Sequence, residues 1–115
     1  RRGLIFNHMV EQNAYLDGLF GSLADPIRRD ILRRLMHAQY TVSQIAEAYD
    51  VSLAAVAKHV KVLEKATLIV KQRRGKEQLV SIKPEAIKDA AYYLKQYEEL
   101  WEQRFQKLDK LLAEN

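Results

Sequence analysis

Apolar residues recur at helical intervals along most of the chain and alternate only once, between residues 68 and 82. From about Val10 to Leu23, Leu16, Leu19, Phe20 and Leu23 fall on one side of a helix, with Glu11, Asp17 and Ser22 on the other. Gly18 and Gly21 weaken that helix or let another helix approach closely. Asp25-Pro26 is a start signal, a capping side chain followed by a residue that needs no N–H at the first helical position. It predicts a second helix from Pro26 to about His37, burying Ile27, Ile31, Leu32, Leu35 and Met36 and turning Arg29, Arg33 and Arg34 mostly outward. Arg28 and Arg29 lie at the positive end of this helix, where cations are disfavoured, so a structural partner such as a carboxylate is expected for them.

Thr41 and Gln44 stand at the spacing of a capping box, in which each side chain satisfies a backbone donor at a helix start. The short helix that begins near Val42 turns Val42, Ile45, Ala46 and Tyr49 inward and stops at Asp50-Val51, where Asp favours a turn. Ser52 caps the next helix, whose Leu53, Val56, Val60 and Leu63 recur at spacings of 3, 4 and 3 as one buried stripe. Lys58, Lys61 and Lys65 fall outside that stripe, facing solvent or phosphate. Two short helices joined by a tight polar break, the second with a lysine-bearing free face, make a helix-turn-helix over residues 41–65 and predict DNA binding.

After Lys65 the period changes. Leu68–Gln72 and Gln78–Ile82 are β-branched and partly alternating, and Arg73-Arg74-Gly75-Lys76 between them supplies a turn. A lone hairpin is marginal, so this basic-tipped pair over 68–82 must lean on the helices, which gives a winged helix. Pro84 opens a last helix that runs to about Ala113, with Ile87, Ala91, Leu94, Tyr97, Trp101, Phe105, Leu108 and Leu112 in one stripe. At ~1.5 Å per residue this helix is ~45 Å long, whereas a domain of this size has a radius of gyration of ~13 Å. One protomer cannot cover the whole stripe, and the pattern predicts a homodimer built through the first and last helices. The fold expected is mainly α with a small β-hairpin wing, an α+β winged helix-turn-helix domain over 10–115, dimerising through 84–113.

Composition narrows the function. The 115 residues are 48% hydrophobic and 30% charged, which fits one small folded domain. No apolar run approaches the ~18 residues that span a bilayer, and no secretion signal is recognisable, so a cytoplasmic location without membrane contact is expected. Residues 1–9 match no periodic pattern and are read as a leader or mobile terminus, native or not, ahead of a start at Met9. Cysteine is absent, which removes disulfides, thiolate metal sites and thiol redox chemistry together. His8, His37 and His59 lie in separate elements, so no metal and no cofactor is expected. Without a Gly-rich phosphate loop or a His-carboxylate cluster, an enzyme is not expected either. The net charge of +4 is unevenly placed: within 52–76, Lys58, Lys61, Lys65, Lys71, Arg73, Arg74 and Lys76 are opposed only by Glu64. A cationic surface on a helix-turn-helix gains affinity for DNA by releasing counterions from phosphates.

With these elements placed, the chain resembles winged-helix repressors of the ArsR/SmtB family from roughly Leu16 to Leu112. LADPIRRDIL at 23–32, TVSQIAEAYDVSLAAVAKHVKVLEKATLI at 41–69 and RRGK at 73–76 carry the resemblance. It implies a homodimeric transcriptional repressor that sits on a double-stranded DNA operator and often represses its own gene. The similarity is to the branch without cysteine metal sites: residues 44–50 lack the cysteine pair that metal-sensing members carry, and 83–115 contain no histidine. The reading helix also departs from the family, with Ala54 where proline is common, Ala57 where serine is common, and Thr67 where glycine usually closes the helix.

Residue roles follow from these placements. Ser52, Lys58 and His59, joined by Lys61, are assigned to the DNA face, and Thr41, Ser43 and Gln44 to backbone phosphates. Ala54 and Ala57 offer methyl contacts to thymine in place of polar readout. Arg73, Arg74 and Lys76 are expected at the minor groove or its flanking phosphates. His59 has an alternative role as a helix-surface or core histidine. Leu16, Leu19, Phe20, Tyr93, Tyr97, Trp101, Phe105 and Leu108, with Tyr92, are assigned to the dimer interface, although the aromatics equally suit an intramolecular core or a ligand cleft. Two rival functions stay open. One is a winged-helix protein-interaction module, and the other a regulator whose Tyr15, Tyr92, Tyr93 and Tyr97 bind an aromatic or lipophilic effector.

Overall fold

Side-chain caps set where the second, third and fourth helices start. A computed structural model describes residues 14–114, so the leader 1–9 and the expected helix start at 10–13 lie outside the described residues. Helix α1 covers 14–22. It is followed by α2 (Pro26–Leu35), β1 (Tyr40–Thr41), α3 (Val42–Glu47), α4 (Leu53–Lys65), β2 (Ile69–Arg74), β3 (Glu77–Ile82) and α5 (Pro84–Ala113). The Asp25 carboxylate accepts from Ile27 N and Arg28 N at 2.8 and 3.1 Å, with Pro26 at the first helical position. The capping box of α3 closes in both directions, Thr41 Oγ1 accepting from Gln44 N at 3.1 Å and Gln44 Oε1 from Thr41 N at 2.9 Å. Ser52 Oγ accepts from Ala55 N at 3.1 Å and starts α4.

The sheet has three antiparallel strands in the order β1-β3-β2. Its first strand escaped the sequence reading because two residues, Tyr40 and Thr41, are too few to show a period; they pair with Val80 and Leu79. The wing is also tighter than expected. Pairing runs from Ile69↔Ile82 to Arg74↔Glu77, so the arginines belong to the strand and only Gly75 and Lys76 turn. Gly75 has φ +63°, which suits the first central position of a two-residue hairpin turn and disfavours any residue with a Cβ.

Leu19, Ile31, Leu35, Ile45, Val56, Val60, Leu63, Leu68, Ile69 and Val80 form one core joining the helices to the sheet. Several placements differ from the pattern. Met36 lies past the last turn of α2 and is exposed, and Leu53, at the first turn of α4, is 56% exposed instead of completing the stripe. Ser22 is buried, its hydroxyl donating to Leu19 O at 2.7 Å within its own helix. A Cβ at Gly18 or Gly21 would meet nothing within 4 Å, so among the described residues no close helix approach requires those glycines.

Helix α4 ends in a Schellman motif, with Leu68 N donating to Leu63 O at 3.1 Å and Thr67 N to Glu64 O at 3.0 Å. The motif places its penultimate residue in the left-handed region, and Thr67 sits there at φ +62°. A β-branched residue in that region is strained by ~1–3 kcal/mol, against ~0.5–1 kcal/mol of entropy that a glycine would lose. Thr67→Gly is therefore expected to raise the unfolding free energy by about 1 kcal/mol, read as a higher urea midpoint at unchanged m-value.

Helix α5 divides in two. Ala86 and Ala90 are buried on the core and Ile87 half-buried, whereas Ala91, which the pattern placed on the inner stripe, is exposed. Beyond Tyr93 every described residue of the helix is exposed, including Leu94, Tyr97, Leu100, Trp101, Phe105, Leu108, Leu111 and Leu112. The Cα radius of gyration is 19.3 Å, well above the ~13 Å of a compact domain of this length, because the outer part of α5 projects past the body. Among the described residues, no helix is long and apolar enough to cross a membrane.

Candidate nucleic-acid interface

The buried side of α4 is set by Val56, Val60 and Leu63, so its outward side carries Leu53, Ala54, Ala57, Lys58, Lys61 and Lys65, all exposed. Ser52 is exposed at the cap, beside this surface. Thr41, Ser43, Leu53, Ala57, Lys71, Lys76 and Gln78 line a groove of about 280 Å³ between the helix pair and the wing. The structure thus gathers Thr41, Ser43, Ala57 and Lys76 at one groove, next to Ser52, Ala54, Lys58 and Lys61. The capping box uses Thr41 and Gln44 oxygens as acceptors, which leaves the Thr41 hydroxyl hydrogen and the Gln44 amide hydrogens to donate.

Charge is distributed more selectively than the sequence suggests. Lys71 Nζ lies 3.3 Å from Glu64 Oε1, so the one acid among the cations of 52–76 is paired between α4 and the wing. Lys58, Lys61, Lys65, Arg74 and Lys76 remain exposed, and Arg73 Nε donates to Gly75 O at 3.2 Å across the turn.

His59 faces the opposite way from its assigned role. Its ring is mostly covered against the start of α2, with Nδ1 3.3 Å from Arg28 Nη1 and 4.0 Å from Asp25 Oδ1. The alternative helix-surface role fits this placement, because residue 59 lies on the flank of α4 that packs toward α2. The arginine partners also differ from expectation. Arg28 Nε and Nη2 donate to Ser22 O at 2.6 Å and Gly21 O at 3.3 Å, and Arg29 Nη1 donates to Leu23 O at 2.8 Å. Carbonyls at the end of α1 carry the partial negative charge that a carboxylate was expected to supply.

A second cluster, which the sequence reading left unassigned, fixes α3 against α2. Arg34 Nη1 donates to Ile45 O at 3.3 Å, and its guanidinium lies 5.0 Å from the Tyr40 ring centroid and 5.8 Å from that of Tyr49. The Tyr49 hydroxyl donates to Asp30 Oδ2 at 2.6 Å, while Arg33 binds Asp30 Oδ1. The i, i+4 spacing of Asp30 and Arg34 was the available signal, but it predicts a surface pair rather than a bridge between helices.

These contacts shift protonation. The Tyr49 hydroxyl and then Arg33 hold the Asp30 carboxyl below its ordinary value, and burial followed by Asp30 pushes the Tyr49 phenol up. Burial alone would raise Asp25, but the N–H groups of Arg28 and Ile27, with the charges of His59 and Arg28, bring it below its ordinary value. Both carboxyls have depressed folded pKa values, so the stability they contribute is present above their unfolded values of about 4 and is lost as pH falls through the folded ones. The melting temperature is expected to drop on acidification below about pH 4, and Asp25→Asn with Asp30→Asn to flatten that drop.

The residues assigned to a dimer contact separate into two sets. Leu19 is 0% exposed and belongs to its own protomer's core, which corrects its assignment to an interface. Leu16 and Phe20 are half-buried against that core, and the Phe20 ring lies 5.8 Å from that of Tyr93 at a tilt of 47°, with Tyr93 in turn 5.1 Å from Tyr97. Tyr97, Trp101, Phe105 and Leu108 are exposed on outer α5. On the α1–α5 side, Tyr15, Leu16, Asp89, Tyr92, Tyr93 and Gln96 line a groove of about 430 Å³, where the Tyr15 hydroxyl donates to Asp89 Oδ2 at 2.9 Å.

Comparison with known proteins agrees with this geometry. Residues 23–72 match the model of a helix-turn-helix domain family, a span that includes α2 to α4 and ends within β2. The transcriptional repressor SdpR of Bacillus subtilis is 27% identical over 79 residues, 69% of this chain and 88% of the relative. The crystal structure of the ArsR family transcriptional regulator RHA00566 superposes with a TM-score of 0.74 at 34% identity, covering 78% of this chain and 93% of that one. A solution structure of the homodimeric winged helix-turn-helix domain Mb0332 from Mycobacterium bovis shares the fold at 22% identity and a TM-score of 0.62, covering 81% and 84%. The capped helix pair, the three-stranded wing and these likenesses together place the chain in the ArsR family of DNA-binding helix-turn-helix transcriptional regulators, to which it belongs.

Proposed function

We propose that this protein is a cytoplasmic homodimeric repressor that binds a palindromic operator, its own promoter included, without a metal or cofactor and without catalysis. The observation that carries this reading is the outward face of α4, where Lys58 and Lys61 are exposed, Ala57 shares a groove with Lys71 and Lys76 of the wing, and Glu64 is paired with Lys71. In this arrangement α4 enters the major groove, Thr41, Ser43 and Gln44 hold a phosphate from the first helix of the pair, and Arg73, Arg74 and Lys76 reach the adjacent minor groove or its phosphates. The exposed apolar stripe of outer α5 supports pairing with a second copy, as does the homodimeric state of Mb0332. Two-fold pairing sets two reading helices about one DNA turn apart, ~34 Å.

Footprinting on the DNA upstream of its own gene is expected to show two protected half-sites related by a dyad. Protection no stronger than on unrelated duplex would overturn the repressor reading. The groove between α1 and α5 supports a second reading, in which an aromatic molecule held by Tyr15, Tyr92 and Tyr93 releases the operator. Loss of the same footprint on adding an aromatic amine, for which Asp89 offers a counter-charge, would favour it.

A further inference from the structure

Resting on the reading of α4 as the DNA-reading helix, we infer that the operator half-site is recognised through thymine methyl groups, which pack on an apolar patch made by Leu53, Ala54 and Ala57. Residues near the N-terminus of a reading helix are those that reach base edges. Here that end is apolar. Leu53 is 56% exposed, Ala54 and Ala57 are exposed next to it, and Val51 just before the cap is 39% exposed. Leu53 was the residue whose spacing assigned it to the core. Its place at the first helical position instead leaves it at the mouth of the groove that it lines with Ala57 and the wing.

Within α4 itself the polar alternatives are few, and the nearby polar side chains, Ser52 at the cap and Thr41, Ser43 and Gln78 in the groove, lie off the helix. Residues 53–65 contain no Asn, Gln, Arg, Ser or Thr, so nothing on the helix offers the paired donor and acceptor that reads adenine. The one imidazole, His59, is turned back onto Arg28 and Asp25. Lys58 and Lys61 can donate to phosphate or to guanine, but neither distinguishes a thymine. In the major groove the thymine C5-methyl is the apolar group that a base pair presents, and an apolar patch of two alanines and a leucine complements it. An exposed leucine costs the free protein hydration that the methyl contact recovers on binding.

The test uses the full chain and a duplex enriched from a randomised pool by binding to it. Each thymine of that duplex is then replaced in turn by deoxyuridine, which keeps every hydrogen-bonding edge and phosphate and lacks only the methyl. At one or more positions in each half-site the affinity is expected to fall about fourfold, the factor that corresponds to one buried methyl group, and about fifteenfold when both half-sites are changed. Leu53→Ala, an exposed substitution compatible with the helix, is expected to reduce that discrimination at the position beneath it, with the melting temperature and the salt dependence of binding unchanged. Equal affinity for thymine and deoxyuridine at every position overturns the inference while specific DNA binding stands. Full discrimination retained by Leu53→Ala removes Leu53 from the patch. A pool that yields no enriched duplex overturns both this inference and the reading of α4 on which it rests.

Discussion

Trp101→Glu combined with Phe105→Glu is expected to give a folded monomer that has lost most of its operator affinity. The two side chains are 52% and 58% exposed in the protomer, so their replacement removes little of its core. They sit instead on a stripe from Leu94 to Leu112 that continues the buried face of Ala86 and Ala90 beyond the body of the domain. Apolar surface of that extent marks an interaction site. Burying an unpartnered carboxylate costs about 3 kcal/mol or more, and a dimer would carry four of them. A total of about 12 kcal/mol exceeds the roughly 8 kcal/mol that separates nanomolar pairing from millimolar association. A monomer loses the second reading helix as a tethered ligand, which lowers affinity for a two-half-site operator by about 10²- to 10⁴-fold. Sedimentation velocity measures the first effect and operator titration the second. A variant that still sediments as a dimer would remove outer α5 from the interface.

Local chemistry made much of this legible in the sequence. The caps at Asp25, Thr41 and Ser52 are each set by one side chain and the backbone within three residues, and all three form as read. The hairpin was legible for the same reason, since Gly75 marks its turn. What escaped depends on tertiary partners. Periodicity gave Leu53 and Met36 inward positions, but a helix end has no second layer to cover it, and both are exposed. Tyr40 and Thr41 became a strand only because β3 lies alongside. His59 and Arg28 meet across 31 positions of sequence, a pairing that no local pattern encodes.

These departures change how the site works. The sequence suggested a reading helix with lysines, a histidine and a serine cap. The structure withdraws the histidine, engages Glu64 with Lys71 and exposes a leucine. Lysine and arginine contacts to phosphate supply affinity common to all sequences, whereas choice of sequence must come from groups at the base edges. On the proposed docking, affinity would come from the wing and the outer lysines, and the inferred role of the apolar first turn of α4 would be to discriminate.

Arg73→Ala with Arg74→Ala is expected to reduce the salt dependence of operator binding more than any other pair. The two residues are adjacent on β2, so their side chains leave opposite faces of the wing. A hairpin tip set edge-on across a minor groove meets one phosphate strand with each face, which lets both arginines contribute. Each neutralised phosphate adds about 0.9 to the slope of log K against log salt, so four arginines in a dimer account for about 3.6 and two in a single protomer for about 1.8. Extrapolated to 0.15 M salt, the lost counterion release weakens binding by about a thousandfold, whatever the operator sequence. The loss is expected to be equal on operator and unrelated duplex, because phosphate contacts carry no sequence information. Titrations at several salt concentrations on both duplexes separate the cases. A halved change in slope would leave one face of the wing on the DNA, and an unchanged slope would take the wing off it and leave α4 to bind alone.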